Sequence, residues 1–337
     1  MTDCEIQTKP PRLNREQEPA IAVSGLRHSY RRRGHNIALN ALDDLTFDVA
    51  AGQFVCILGP NGSGKSTLIS VLCGLIRPHV GSFKILGASS QQEIRQSIGV
   101  VFQRPSLDGD ASVFENLRDH GVLYGLDPAI SRQRIKNELE QAGLTSACHQ
   151  LVHVLSAGQQ RRIDLIRASM HQPRLLLLDE PTVGLDPNAR STYLEQLEDQ
   201  RRQQQRTILM STHLIDEANA ADRIIFMNEG QIIADASPSQ LRQSVGQRLI
   251  TINDPSWRAD QWNGPGQFSK TSTGWRMPLK ESEAQPITAA LAGMGVSFSL
   301  APPTLGDAFQ KLTGQQLTDQ PLSKPTKDRG TLPERMS

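Results

Sequence analysis

Residues 59–67 read Gly59-Pro60-Asn61-Gly62-Ser63-Gly64-Lys65-Ser66-Thr67. An apolar run, Phe54-Val55-Cys56-Ile57-Leu58, leads into them, and a helix-like run from Thr67 through Leu72 leads out. This is G-x-x-x-x-G-K-[ST] in a strand–turn–helix setting, the arrangement of a phosphate-binding loop. Gly59, Gly62 and Gly64 allow a tight curl that turns successive N–H groups inward as an anion nest. The helix behind adds its positive N-terminal end. Lys65 places a point charge among the outer phosphates, and Ser66 offers a hydroxyl to Mg²⁺. Pro60, Asn61, Ser63 and Thr67 complete the loop expected to touch nucleotide. A Gly-rich turn with a chance lysine explains neither the full match nor its flanks.

Composition narrows what surrounds this loop. The chain has 337 residues and a formal net charge of +1. That length suggests two domains. The near-neutral charge argues against a dedicated nucleic-acid binder, which carries a strong basic excess. Arg31-Arg32-Arg33 and Arg201-Arg202 read as solvated surface. Cys4, Cys56, Cys73 and Cys148 are scattered, with no C-x-x-C pair, so neither a zinc site nor a disulfide framework is expected. Reduced thiols in a cytosolic protein fit this pattern. Met1 to Ala20 contains charges and prolines but no apolar segment, unlike a secretory signal. No run approaches the roughly 18 apolar residues that a membrane span needs.

Four strand-like runs stand between helix-like stretches: the one feeding the loop, 175–178, 207–210 and 224–227. Leu175-Leu176-Leu177-Leu178 is apolar throughout, as suits a central strand buried on both faces. The alternation predicts an α/β sheet with ligands at the carboxyl ends of its strands. Helices are expected over 67–77, much of 105–172, and 188–204, and strand character over 81–102. Composition shifts near Gln247, and all three tryptophans, Trp257, Trp262 and Trp275, lie beyond it. We read 1–19 as a flexible tail, 20–247 as a nucleotide-binding domain, 248–316 as a small α+β accessory domain, and 317–337 as a second tail. A final helix should begin at Leu305, with Thr304 and Asp307 at capping-box spacing and Leu305, Ala308, Phe309 and Leu312 on one face.

Four further features carry chemistry. The run 175–178 ends in Asp179-Glu180, where Asp179 can hold Mg²⁺ and Glu180 can polarise water as general base. Leu155-Ser156-Ala157-Gly158-Gln159-Gln160 opens a helix, and Ser156 and Gly158 make a second phosphate-binding end; an ordinary N-cap is the alternative. His213 follows the strand 207–210 and can reach a γ-phosphate, or be plain surface. Gln103 follows the strand 98–102 and can sense Mg²⁺ and the attacking water.

In this order the features resemble the ATP-binding subunit of an ABC transporter, from about Ile21 to Leu241. Residues 59–67 match that family's Walker A, Gln103 its Q-loop glutamine, and 155–160 its LSGGQ signature. Residues 175–180 match Walker B, Gly184-Leu185-Asp186-Pro187 the D-loop, and His213 the switch histidine. The resemblance implies a P-loop NTPase fold of the ABC type with a helical subdomain, binding ATP and Mg²⁺ and hydrolysing ATP. It adds Ser156, Gly158, Gln159 and Asp186 to the nucleotide contacts, and Tyr30 as an aromatic that stacks on adenine, unless Tyr30 is core. Ala157 departs from the family's Gly-Gly pair. A left-handed backbone there would be strained by its Cβ, whereas a helical first position would not.

The resemblance also implies partners. Two copies dimerise head to tail, the Walker A of one facing the signature of the other across shared ATP, and hydrolysis opens the pair. A separate integral membrane permease would hold the protein at the cytoplasmic face of the cell membrane. Residues 105–117, 161–165 and 303–314 are similar to ABC-2 type exporters of the daunorubicin-resistance, nodulation-factor and polysaccharide groups, so export is expected. An importer subunit and a nucleotide-dependent regulator remain alternatives. A chromosome or DNA-repair ATPase does not fit, because Lys65 and Ser156 are only 91 positions apart with no heptad repeat between them.

Overall fold

The computed structural model describes residues 18–31, 38–254, 256–271 and 274–314. Residues 1–17 and 317–337 of the expected tails, Gln315 and Gln316 of the expected accessory domain, Cys4, and Arg32-Arg33 lie outside the described residues.

The chain opens with β1 (Ile21–Arg31) and β2 (Ala38–Val49), then β3 (Phe54–Leu58), α1 (Lys65–Leu72), β4 (Val80–Ile85), α2 (Gln91–Ser97) and β5 (Ile98–Val101). β1 pairs antiparallel with both β2 and β4 as a three-stranded sheet beside the main one. α1 spans 65–72 rather than 67–77. Its register is set by the phosphate loop, and Gly74, at a φ of 73°, turns the chain out of it. α2 interrupts the stretch expected to be strand. Ser90 caps it by accepting from the Glu93 amide at 3.3 Å, and Ile94 is its single buried residue, too little to write a helical period.

The helical stretch resolves into α3 (Val113–Leu123), α4 (Pro128–Gln141) and α5 (Ala157–Ser169). Val113, Leu117, Ile135, Leu139, Ile163 and Ile166 bury together as the core of this lobe. There follow β6 (Leu175–Asp179), α6 (Pro187–Gln204), β7 (Thr207–Thr212), α7 (Ile215–Ala218), β8 (Arg223–Asn228), β9 (Gln231–Ala236) and α8 (Pro238–Val245). The main sheet has the order β5-β6-β7-β3-β8-β9. Its first five strands are parallel, and β9 closes the edge antiparallel through a hairpin at Glu229 and Gly230, both at positive φ. β3, β6 and β7 are buried at every position, which is why they read as unbroken apolar runs.

Beyond α8 come β10 (Arg248–Ile252), β11 (Ser269–Thr271), β12 (Gly274–Leu279), α9 (Glu281–Gly293), β13 (Ser299–Ala301) and α10 (Leu305–Thr313). The strands form an antiparallel sheet, β11-β12-β10-β13. Ile250, Ile252, Met277 and Leu279 pack with Trp257, Phe268 and the α9 residues Ala284, Ile287 and Leu291 as a separate small core. α10 has the expected Thr304–Asp307 capping box, yet its apolar face does not join that core. Leu305, Ala308 and Phe309 bury with the main-sheet cluster, where the Phe309 ring meets Phe226 edge-on at 5.5 Å. Among the described residues, no helix is long and apolar enough to cross a membrane.

Candidate functional site

The phosphate loop joins β3 to α1. Gly64 is the N-cap of α1 at a φ of 103°, and a Cβ there would stand 2.2 Å from the Ala41 carbonyl oxygen. A Cβ on Gly59 would meet the Met227 carbonyl oxygen at 2.1 Å. Both positions therefore require glycine on steric grounds. Lys65 is 3% exposed. Its Nζ donates to the carbonyls of Gly59 at 2.8 Å and Pro60 at 3.0 Å, and lies 3.4 Å from Glu180 Oε1. Burial holds its ammonium below the usual lysine range against the pull of Glu180 and Asp179.

Pairing of β6 with β7 sets Asp179 opposite Ser211. Ser211 Oγ donates to Asp179 Oδ1 at 2.6 Å, and Ser66 Oγ, from α1, donates to the same oxygen at 3.0 Å. Burial raises the Asp179 carboxyl above the usual range despite these hydrogen bonds. Glu180 follows at a φ of 44°, a left-handed conformation uncommon outside glycine. Its amide holds that geometry by donating to Ser211 Oγ and to the Ser211 carbonyl, each at 3.1 Å. Burial alone would raise the Glu180 carboxyl, but His213 and Lys65 outweigh it and hold it low. The two adjacent carboxyls are thus pushed in opposite directions by their surroundings.

Gln103 and His213 arrive from the ends of β5 and β7. Gln103 Nε2 donates to Glu180 Oε2 at 3.4 Å. His213 Nδ1 lies 3.3 Å from the same oxygen, without the alignment of a hydrogen bond. The structure therefore gathers Lys65, Gln103 and His213, from three separate segments, around one carboxylate. Arg161 of α5 fixes the Gln103 segment by donating to the carbonyls of Phe102, at 2.7 Å, and Gln103.

Tyr30 stands at the far end of the loop, with its hydroxyl 3.5 Å from Thr67 Oγ1. It is 43% exposed, so it is not core. Its ring meets His28 edge-on at 4.8 Å, and His28 stacks on His79 at 4.5 Å.

Ser156, Gly158, Gln159 and Asp186 lie apart from this group. Ser156 caps α5, accepting from the Gln159 amide at 3.2 Å, while Gln159 Oε1 accepts from the Ser156 amide at 3.0 Å. Ala157 is the first helical residue, with no positive φ, so its Cβ carries no backbone strain. A Cβ on Gly158 would come within 3.0 Å of Ala189, so α5 and α6 approach closely there. Asp186 caps α6 by accepting from the Asn188 and Ala189 amides, each at 3.0 Å. Among the described residues, no hydrogen bond or ion pair joins 156–159 to the phosphate loop.

Sequence reasoning did not single out Ser211, Arg161, Thr182 or Glu217. Ser211 precedes His213 by two, but its bonds to Asp179 and Glu180 follow from strand pairing, which no local pattern displays. As for a metal, Asp179 Oδ1 and Ser66 Oγ are hard oxygen donors, and a divalent charge would offset the burial of Asp179. Among the described residues, no three His, Cys, Asp or Glu side chains are placed so as to hold a metal ion by themselves. One carboxylate and one hydroxyl beside a phosphate loop suit Mg²⁺, which shares its shell with water and phosphate oxygens.

Comparison with known proteins gives this geometry a context. The ABC transporter family model matches residues 42–183. The Nod factor export ATP-binding protein I of Burkholderia lata is 35% identical over 307 residues, covering 89% of this chain and 99% of that protein. That of Rhizobium johnstonii is 34% identical over 306 residues, covering 88% and 96%. Among solved structures, cbiO1 from Clostridium perfringens, part of the ABC transporter complex cbiONQ, superposes with a TM-score of 0.60 at 29% identity. It covers 67% of this chain and 91% of its own. A dimeric ATP-binding cassette in a post-hydrolysis state with ADP and Pi gives a TM-score of 0.59 at 26% identity, covering 64% and 98%.

Proposed function

The chain belongs to the ABC transporter ATP-binding family, and from that membership we propose how its residues divide the work. It is an ATP-binding and ATP-hydrolysing subunit of a transporter. In our reading, the amides of 59–67 cradle the β- and γ-phosphates, Lys65 neutralises their outer charge, and Tyr30 stacks on the base. Ser66 and Asp179, together with Gln103, would hold Mg²⁺, which would supply charge neutralisation to the phosphates. Glu180 orients the attacking water and accepts its proton. His213 donates to the γ-phosphate, and Gln103 reports on the water. Ser156, Gly158, Gln159 and Asp186 meet the nucleotide of a second copy, whose loop faces them. Closure onto ATP and opening after hydrolysis then drive a separate membrane permease, which holds this subunit at the cytoplasmic face. Export is the direction favoured by likeness to the Nod factor export proteins over nearly the whole chain.

The observation that carries this reading is the convergence on Glu180: Lys65 at 3.4 Å, Gln103 at 3.4 Å and His213 at 3.3 Å. A carboxylate held ionised in that position is suited to general-base work. Glu180→Gln keeps the shape and removes the proton acceptor. Steady-state ATPase with Mg²⁺ should fall by about 10²–10⁴, with ATP still bound. Turnover at the wild-type rate would remove Glu180 from the chemistry.

A further inference from the structure

Glu217 is a carboxylate with 0% exposure, on the short helix α7, four residues after His213. A buried carboxylate is tolerated only where donors meet it. The donors here come from the two segments that carry the reaction. Thr212, the residue before His213, donates its hydroxyl to Glu217 Oε2 at 2.5 Å. The same hydroxyl accepts from the Leu214 amide at 3.0 Å, so Thr212 grips both sides of the histidine. Thr182, two residues after Glu180, donates its hydroxyl to Glu217 Oε1. Its carbonyl accepts from the Leu185 amide at 3.1 Å, in the turn that leads to Asp186. Arg190, in the first turns of α6, places its Nε 3.5 Å from Glu217 Oε1. Both threonines are buried.

We propose that Glu217 is a positioning residue for ATP hydrolysis, its carboxylate locking the Glu180–Thr182 segment, the Thr212–His213 segment and the start of α6 into one rigid unit. This inference rests on the roles assigned above to Glu180 and His213. Among the described residues, no hydrogen bond or ion pair joins either of those side chains to Glu217, which acts through the backbones on either side of them. The hydroxyl of Ser211 clamps Glu180 from one side of the strand, and Glu217 fixes the chain just beyond it from the other. The arrangement also links hydrolysis to the dimer surface, because the Thr182 turn and Arg190 flank Asp186 and the face of α6 that Gly158 abuts. Loss of the lock leaves nucleotide binding intact, since the loop meets it through a backbone bond, the Gly59 amide donating to the Thr212 carbonyl at 3.4 Å, which side-chain substitution keeps, and it lets Glu180 and His213 drift relative to one another.

The test uses the full chain and the variants Glu217→Gln, Thr182→Val and Thr212→Val, with Glu180→Gln as reference. Each of the first three should lower kcat about tenfold, as small misplacements of a catalytic group do. ATP affinity, read by titration with a fluorescent ATP analogue, should stay within about twofold. In the Glu217→Gln background, either threonine substitution should add less than about twofold, the non-additivity of one shared network. Losses that multiply independently, or wild-type kcat in Glu217→Gln, overturn the proposal. Should Glu217→Gln not fold, the two near-isosteric valine variants and their combination carry the same cycle. Failure of the assigned site appears differently, as wild-type turnover in Glu180→Gln.

Discussion

Lys65 shows how one side chain depends on distant parts of the fold. Its ammonium is buried among the Gly59 and Pro60 carbonyls and the Glu180 carboxylate, where the proposed function puts the phosphate oxygens of ATP. Charge-assisted hydrogen bonds to phosphate are among the stronger ones in a protein. Lys65→Ala should weaken ATP binding by about 10–100-fold, the range that loss of a hydrogen bond to a charged group implies. Isothermal titration with ATP measures this directly, and unchanged affinity would mean that the phosphates lie elsewhere. Lys65 and its glycines were legible because the requirement is local: a tight turn, close backbone approaches and a charge, all within nine residues. Asp179 and Glu180 were legible because they end an apolar strand. The left-handed backbone of Glu180 was not, because the Ser211 bonds that hold it span about thirty positions of sequence. Glu217 was hidden for the same reason. A glutamate on a four-residue helix carries no pattern until the strands bring Thr182 and Thr212 to it.

At the scale of elements, α10 marks where sequence patterns stop being informative. Its apolar period and capping box place the helix correctly. Amphipathicity says that one face is buried, but not against what. The sequence reading grouped α10 with the small accessory fold, whereas Leu305, Ala308 and Phe309 pack with the main sheet and Arg276 of β12 pairs with Asp307. α10 thereby fastens the accessory sheet to the nucleotide-binding core. Phe309 is fully buried, so Phe309→Ala should destabilise the protein by about 3–5 kcal/mol, the usual cost of deleting a core aromatic. Chemical denaturation followed by intrinsic fluorescence tests this. A loss under about 1 kcal/mol would mean that the helix is only loosely attached. The helices α2 and α8 and the strand β9 went unread for a related reason. They are short, at seven, eight and six residues, so periodicity had little to act on.

At the scale of the whole molecule, the phosphate loop and the proposed second phosphate-binding end at Ser156 share no hydrogen bond or ion pair among the described residues of one protomer. The loop at 59–67 is met by Asp179 and Glu180, while among the described residues the α5 end at Ser156 shows hydrogen bonds within 152–160 and the close approach of α6. Sequence placed both segments at helix starts and read the α/β class. The strand order β5-β6-β7-β3-β8-β9 depends on crossovers that leave no local trace. In the proposed dimer, two copies placed head to tail would let each end serve the other's ATP, making nucleotide the joint between them. The most direct measurement is the mass of the Glu180→Gln variant by light scattering, with saturating ATP and Mg²⁺ and again without nucleotide. The account predicts a dimer with ATP and a monomer without it, and a return to monomer when Ser156→Glu places a negative charge at the α5 end. A species that stays monomeric while fully loaded with ATP would contradict it.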